Sequence, residues 1–309
     1  MGEAADRHGQ ESATRCGFVA LIGAPNSGKS TLTNALVGAK VSIVTHKAQT
    51  TRGPVRGIAL IGQSQLILVD TPGIFQPKRR LDRAMSAAAW ERAGDADLVV
   101  LVIDAERGLD KSLGPVLDHL NELKRPVVAV LNKIDKVAKP ALLALSADLG
   151  GRQAFDRVFM LSALTGDGVA DLAAYLAEAV PEGPWLFPAD QLTDAPLRQA
   201  AAEITREKLF LRLHDELPYS LTVETTDWKE LKDGSVRIEQ TIYVARESQR
   251  KILLGAKGAT IKEIGTAARE DIAAIAETPV HLFLFVKVRE RWAEDPERYR
   301  EMGLDYPKK

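Results

Sequence analysis

Eight consecutive residues carry the densest chemistry in the chain: Gly23, Ala24, Pro25, Asn26, Ser27, Gly28, Lys29 and Ser30. An apolar run from Phe18 to Ile22 precedes them, and a helix is predicted from Thr31 to Val37. A strand, a glycine-bearing turn ending in Gly-Lys-Ser, then a helix is the arrangement that cradles phosphate. Backbone N–H groups of the turn and of the helix N-terminus converge there and favour negative charge. Lys29 adds a positive charge that reaches β- and γ-phosphates, and the Ser30 hydroxyl is a hard oxygen suited to magnesium. Gly23 and Gly28 allow backbone angles and a close approach that a Cβ would block.

Four later stretches extend this chemistry, and their order means more than any one of them. Gln49, Thr50, Thr51 and Arg52 lie in a polar loop. A threonine there completes a magnesium shell when a γ-phosphate is present, and Thr51 is preferred over Thr50. Asp70, Thr71, Pro72 and Gly73 follow the apolar strand Leu66–Val69, so Asp70 can hold magnesium through water and Gly73 can bring its N–H to a γ-phosphate. Asn132, Lys133, Ile134 and Asp135 end another apolar run. The Asp135 carboxylate matches the N1–H and exocyclic amine of guanine, and adenine would leave it unpaired. The Lys133 stem can cover a purine face, and Asn132 can tie its loop to the phosphate loop. Ser162, Ala163 and Leu164 follow the run Val158–Leu161, where a backbone N–H can meet guanine O6.

The elements that must position these loops are short apolar runs alternating with helical segments. Phe18–Ile22, Leu66–Val69, Leu98–Ile103, Val127–Leu131 and Val158–Leu161 read as parallel strands buried on both faces. Val55–Ile61 reads as an edge strand in a hairpin with Leu66–Val69. Leu81–Ala93, Leu113–Leu123 and Val169–Ala179 read as crossover helices. The expected product is a six-stranded, doubly wound α/β sheet with the phosphate loop at a strand's carboxyl end.

Pro181, Pro184, Pro188 and Pro196 then punctuate the chain, with Trp185, Leu186 and Phe187 adding apolar bulk, which reads as a docked linker. The division expected is a disordered tail at 1–15, a first domain at 16–183, a linker at 184–196 and a second domain at 197–309. In the last of these the element order is α-β-β-α-α-β: helix Leu197–Leu213, strands Leu221–Trp228 and Val236–Val244 with an Asp233-Gly234 turn, two helices, and strand Val280–Val288. Gly255, Ala256, Lys257 and Gly258 separate those two helices. A Gly-x-x-Gly loop in this α+β order is the RNA-backbone clamp of a type II KH domain. Arg246, Arg250, Lys251, Lys257 and Lys262 make its neighbourhood basic, and Ile252, Leu253, Leu254 and Ile261 divide between groove and core. The segment from Trp292 to Lys309 reads only as a terminal helix.

The bulk numbers set outer limits. With 309 residues, 45% of them hydrophobic, the chain suits a soluble protein of about two domains. A formal net charge of −1 means that any nucleic-acid surface is local. Cys16 is the only cysteine, so disulfide frameworks and cysteine-built metal sites are excluded, as suits a reducing compartment. No run approaches the roughly eighteen apolar residues of a membrane span.

The five stretches together, over residues 17–180, resemble the motif set of the translation-factor-like GTPases and, with a KH domain following, the bacterial Era family. The resemblance implies a Ras-like P-loop fold, GTP and GDP as ligands, magnesium, and slow GTP hydrolysis stimulated by potassium and RNA. By the same resemblance the partner is the 3′ end of small-subunit ribosomal RNA, and the role is assembly of that subunit. It also implies a cytoplasmic monomer; contact with the inner face of the cell membrane would be peripheral, since the sequence has no lipidation motif or amphipathic anchor. Catalysis is expected of Lys29, Thr51, Gly73 and Asn26, the last resembling the asparagine that helps hold potassium in related enzymes. Ile74 stands where Ras-like enzymes place a water-orienting glutamine, as in the Era-like family. Ser27 departs from the hydrophobic residue the family has there. Lys78, Arg79 and Arg80 read as a solvated face. Two other readings compete: a constitutive RNA-binding module on a nucleotide-stabilised scaffold, and a membrane-linked signalling GTPase whose second domain binds protein.

Overall fold

The apolar runs of the first half become strands because both of their faces find cover. The computed structural model describes residues 13–47, 50–75, 77, 79–110, 113–152 and 155–307. Its first sheet comprises β1 (Arg15–Ile22), β2 (Val55–Ile61), β3 (Ser64–Asp70), β4 (Leu98–Asp104), β5 (Val127–Asn132) and β6 (Arg157–Leu161). The spatial order is β2-β3-β1-β4-β5-β6, with only β2 antiparallel, on the edge. Helices α1 (Lys29–Val37), α2 (Arg80–Asp95), α3 (Leu113–Glu122), α4 (Lys139–Arg152) and α5 (Val169–Ala179) cover it. Leu32 and Leu36 of α1 and Leu172 and Leu176 of α5 pack on one face. Ala93 of α2, Val116 and Leu120 of α3, and Leu142 and Leu149 of α4 pack on the other. The carboxyl ends of the parallel strands therefore share one rim, where ligands of such sheets bind.

Besides small shifts at element ends, two features depart most from the sequence reading. Helix α4 is not anticipated, because it buries only Leu142 and Leu149 and ends in Gly150-Gly151, so its apolar stripe is too thin to register. Strand β1 starts at Arg15 rather than Phe18, so Arg15, expected in the tail at 1–15, belongs to the sheet. The linker supplies the reason: Gly183 N donates to Thr14 O at 2.9 Å, Cys16 N to Pro181 O at 3.0 Å, and Arg15 pairs with Glu182 at 3.1 Å. Residues 1–12, Ala48, Gln49 and Lys78 lie outside the described residues.

The linker lies along the β2–β3 edge. Gln65 Oε1 accepts from the backbone of Leu186 and Phe187, its Nε2 donates to Phe187 O, and Ile58 N donates to Leu192 O. The second domain follows the expected order: α6 (Leu197–Arg212), β7 (Leu221–Glu230), β8 (Val236–Val244), α7 (Glu247–Leu254), α8 (Ala259–Ala276) and β9 (Val280–Val288). Its sheet runs β7-β8-β9, antiparallel then parallel. Val236, Ile238, Ile242 and Val244 face α6 and α8 in two adjoining clusters.

The C-terminal segment is more than a terminal helix. Helix α9 (Pro296–Glu301) and the residues after it return to the first domain, where Tyr299 and Leu304 are buried against Ala84, Met85 and Ala88 of α2. Arg80 hydrogen-bonds the Tyr306 hydroxyl and lies over its ring, so it is engaged rather than solvated. No described helix is long and apolar enough to cross a membrane.

Candidate functional site

A cleft of about 340 Å³ opens at the carboxyl rim of the first sheet. It is lined by Pro25, Asn26, Gly28, Lys29, Ser30 and Thr31; by Thr50 and Thr51; by Thr71 and Gly73; by Asn132, Lys133 and Asp135; and by Ser162, Ala163 and Leu164. All five stretches thus meet in one place. Gly23, Ala24, Ser27, Asp70 and Pro72 are not in its lining. Asp70 and Ser27 are buried, Asp70 completely.

Its floor is wired through Asn132. The Nδ2 donates to Ser27 O at 2.8 Å, while Oδ1 accepts from Ala163 N at 3.0 Å and from Lys133 N at 2.8 Å. One buried amide thereby joins three loops. Gly28, in the left-handed region with φ +100°, must lack a side chain, because a Cβ would sit 2.1 Å from Asn132 Nδ2. Gly73 is equally constrained, by the Pro25 backbone at 2.8 Å. Ile74 N closes onto Gly23 O at 2.9 Å, and Thr71 Oγ1 donates to Leu21 O at 2.7 Å.

Three oxygens gather beside the phosphate loop. Ser30 Oγ donates to Asp70 Oδ2 at 2.7 Å and lies 3.0 Å from Thr51 Oγ1, which is 3.3 Å from the same carboxylate oxygen. Asp70 Oδ1 is buried without a hydrogen-bond partner among the described residues. Burial raises the Asp70 pKa. A hard-oxygen set with an unused carboxylate oxygen fits magnesium. Thr50 is turned away: its hydroxyl meets Thr45 and Lys47 O. Lys29 Nζ spans the loop to Gly23 O and Ala24 O at 3.1 and 3.0 Å, and burial lowers its pKa to about 8, so it remains largely protonated at neutral pH. Asn26 has φ +64°, and its Nδ2 donates to His46 O at 2.9 Å.

The other end of the cleft is formed by Lys133, Asp135 and Leu164. Lys133 Nζ is held by Asp104 Oδ2 at 2.6 Å. The exposed Asp135 carboxylate accepts no hydrogen bond from a described residue, which leaves it free for a donor edge.

The second domain presents the Gly-x-x-Gly loop at the N-terminus of α8. Gly255, Lys257 and Gly258 all have positive φ, and no side chain caps the helix. A Cβ on Gly255 would lie 2.2 Å from Thr260 Oγ1, whereas one on Gly258 would meet nothing within 4 Å. Ala259 N donates to Ala256 O, and a helix N-terminus without a side-chain cap beside Lys257 suits a phosphate. Arg246, Lys251, Ala256, Lys257 and Lys262 are exposed, and Arg250 is half-buried and paired with Glu247. Leu253 is core, while Ile252 is 61% exposed.

Between the two sites lies a seam. Lys47 Nζ donates to Phe210 O and Leu213 O at the end of α6, and Arg206 donates to Thr50 O. Lys40 bridges Glu207 at 2.6 Å and Asp271 at 3.2 Å, and Glu207 also accepts from Val44 N. Arg52 is buried between Phe210 and Trp292 and donates to Leu221 O and Pro218 O. Burial, reinforced by Arg206, lowers its pKa to about 9, still cationic at neutral pH.

Comparison with known proteins accounts for this layout. A family model described as 50S ribosome-binding GTPase matches residues 18–133, and a KH-domain model matches residues 216–293. Proteins named GTPase Era from Brucella melitensis and Rhizobium meliloti are each 63% identical, over 95% and 96% of this chain and 94% of each relative. The chain belongs to the Era family of GTPases. A solved structure of Era with MgGDPNP and nucleotides 1506–1542 of 16S ribosomal RNA superimposes with a TM-score of 0.90 at 38% identity, covering 94% of this chain and 99% of that one. A single-residue variant of Aquifex aeolicus Era bound to GDP·AlF4− gives a TM-score of 0.89 at 37% identity, with the same coverage.

Within this chain, sequence reasoning missed Asp104, Arg107, Thr45 and His46 as cleft or cleft-supporting residues. Asp104 had a usable signal, since it ends an apolar strand at the rim that binds ligands. The seam had none.

Proposed function

We propose that this chain binds GTP with magnesium in the cleft, hydrolyses it, and binds the 3′ end of small-subunit ribosomal RNA through its KH domain during assembly of that subunit. The convergence of five separated stretches on one cleft, tied through Asn132, carries the reading. In it, residues 23–31 hold the phosphates, with Lys29 on the β- and γ-oxygens. Ser30 and Thr51 ligate magnesium and Asp70 holds it through water; the ion would neutralise charge on the transferring phosphoryl group. Gly73 donates its N–H to the γ-phosphate. Asp135 reads guanine, Lys133 covers its face and the 162–164 backbone meets O6. Asn26 would help hold a potassium ion, which when bound would supply positive charge beside the phosphates. Arg246, Arg250, Lys251, Lys262 and the 255–258 loop take the RNA. The division into 16–183, 184–196 and 197–309 goes with this reading, as does a cytoplasmic monomer whose membrane contact is peripheral.

The deciding experiment measures affinity for a short RNA matching the 16S 3′ end, with a GTP analogue, GDP or no nucleotide, at two salt concentrations. Binding is expected to favour the GTP analogue and to weaken steeply with salt. Gly258→Asp should abolish it while leaving GTP affinity within about twofold: a carboxylate repels phosphate, the φ of +80° strains a side chain but is a region aspartate adopts more readily than most residues, and the loop lies outside the nucleotide cleft. Equal binding in every nucleotide state supports the scaffold reading, and no binding moves the partner from RNA to protein.

A further inference from the structure

We propose that Arg52 is a positioning residue through which the KH domain holds Thr51 in the metal site, so that a docked second domain is part of the catalytic machinery. The proposal rests on the reading of Thr51 as a magnesium ligand. Residues 50–53 are gripped on both sides of that threonine by the second domain. On one side, Arg206 of α6 donates to Thr50 O and is itself fixed by Glu203, Nε to Oε1 at 2.8 Å. On the other, the Arg52 guanidinium donates to Leu221 O at 2.7 Å and Pro218 O at 3.3 Å. Its carbon lies 5.9 Å from the Phe210 ring centroid and 5.5 Å from that of Trp292. Next to it, a Cβ on Gly53 would fall 2.0 Å from Met302 O, so the C-terminal segment closes directly on the backbone there.

The peptide between these grips turns its one side chain the opposite way, into the first domain, to Ser30 and Asp70. A planar fork with two stackable faces is what this socket needs, and lysine offers neither. The guanidinium has no carboxylate within 4 Å among the described residues, only carbonyls and rings. Such a cation is held well only while its two carbonyl acceptors and its two ring contacts stay in place. Loosening any one element of the socket therefore frees the loop and, with it, the Thr51 hydroxyl.

The test compares full-length protein with its Arg52→Lys, Trp292→Leu and Thr51→Ala variants. It reads turnover against Mg²⁺ concentration and, separately, affinity for GDP. Thr51→Ala should raise the Mg²⁺ needed for half-maximal GTP turnover; if it does not, the ligand reading of Thr51 has failed, whatever Arg52 does. Given that rise, Arg52→Lys should raise the Mg²⁺ requirement about tenfold and lower kcat by a similar factor. Trp292→Leu, which leaves the first domain's sequence intact, should move both about threefold the same way. GDP affinity should stay within twofold in each, because a threonine that answers the γ-phosphate is not used by the diphosphate. A lower melting temperature with an unchanged Mg²⁺ requirement in Arg52→Lys and Trp292→Leu overturns the proposal. So does a parallel loss of GDP affinity.

Discussion

The nucleotide cleft and the domain seam lean on different mixtures of contact. In the cleft, side chains of fixed type at fixed spacing meet short loops: Asn132 on Ser27 and Ala163, Ser30 and Thr51 on Asp70. In the seam, long cations reach across the chain to backbone carbonyls: Lys47 to Phe210 O and Leu213 O, Arg206 to Thr50 O, Arg52 to Leu221 O and Pro218 O. A carbonyl is offered by any residue type. Half of each of these seam contacts is therefore anonymous in sequence, whereas the Ser30, Thr51 and Asp70 trio of the cleft is side chain to side chain, and Asn132, which meets only the backbone of Ser27 and Ala163, sits in a motif of fixed spacing. The cleft should then be intolerant of small chemical changes, and the seam intolerant of lost bulk.

Asp135→Asn tests the first half most severely. It turns one of the two carboxylate oxygens placed for the guanine N1–H and amine into an NH2 donor, so GTP affinity should fall about 10³-fold or more while the melting temperature of the unliganded protein barely moves. Xanthosine triphosphate, with a carbonyl at C2, should bind the variant better than GTP does. Equal loss of both nucleotides in titration calorimetry would mean that the site senses the fold rather than the base. Tyr299→Ala probes the seam. The ring is fully buried against α2 and stacked edge-on to Tyr306, with centroids 4.9 Å apart. Its loss should destabilise the protein by about 3–5 kcal/mol in denaturant unfolding and separate the melting of the two domains. A shift below about 1 kcal/mol would show that the C-terminal segment is only laid on the surface. Leu164→Ala should do least. That side chain is 77% exposed, and only its backbone is asked to meet the base. Stability should change by less than about 0.5 kcal/mol and GTP affinity by less than twofold. A larger change would give the side chain a contact with the ligand.

The same contrast explains what could be read in advance. The sheet was legible because strands such as Leu98–Asp104 are buried along their whole length and leave an unbroken apolar run. The cleft was legible because Gly28 and Gly73 sit where a Cβ has no room, and that geometry dictates residue type. Helix α4 escaped because two buried leucines make no stripe. The choice of Thr51 over Thr50 could be preferred from sequence, but only the turn of Thr50 toward Thr45 and Lys47 gives it a physical reason. Arg80 was misread because the ring it covers, Tyr306, lies more than two hundred positions away. No local pattern reports a partner at that distance.

The C-terminal segment also fixes an order of events. Tyr299 and Leu304 are synthesised after every residue they cover on α2. At synthesis rates of about 5–20 residues per second, roughly 10–40 s separate the emergence of Met85 from that of Tyr299. Through that interval the stripe of Ala84, Met85 and Ala88 stands bare on a nascent protein whose sheet can already fold. A chain that stops short of residue 299 never covers it. Until residue 299 has been made, the chain therefore keeps displaying an apolar face on α2, the kind of surface that chaperones and proteases bind.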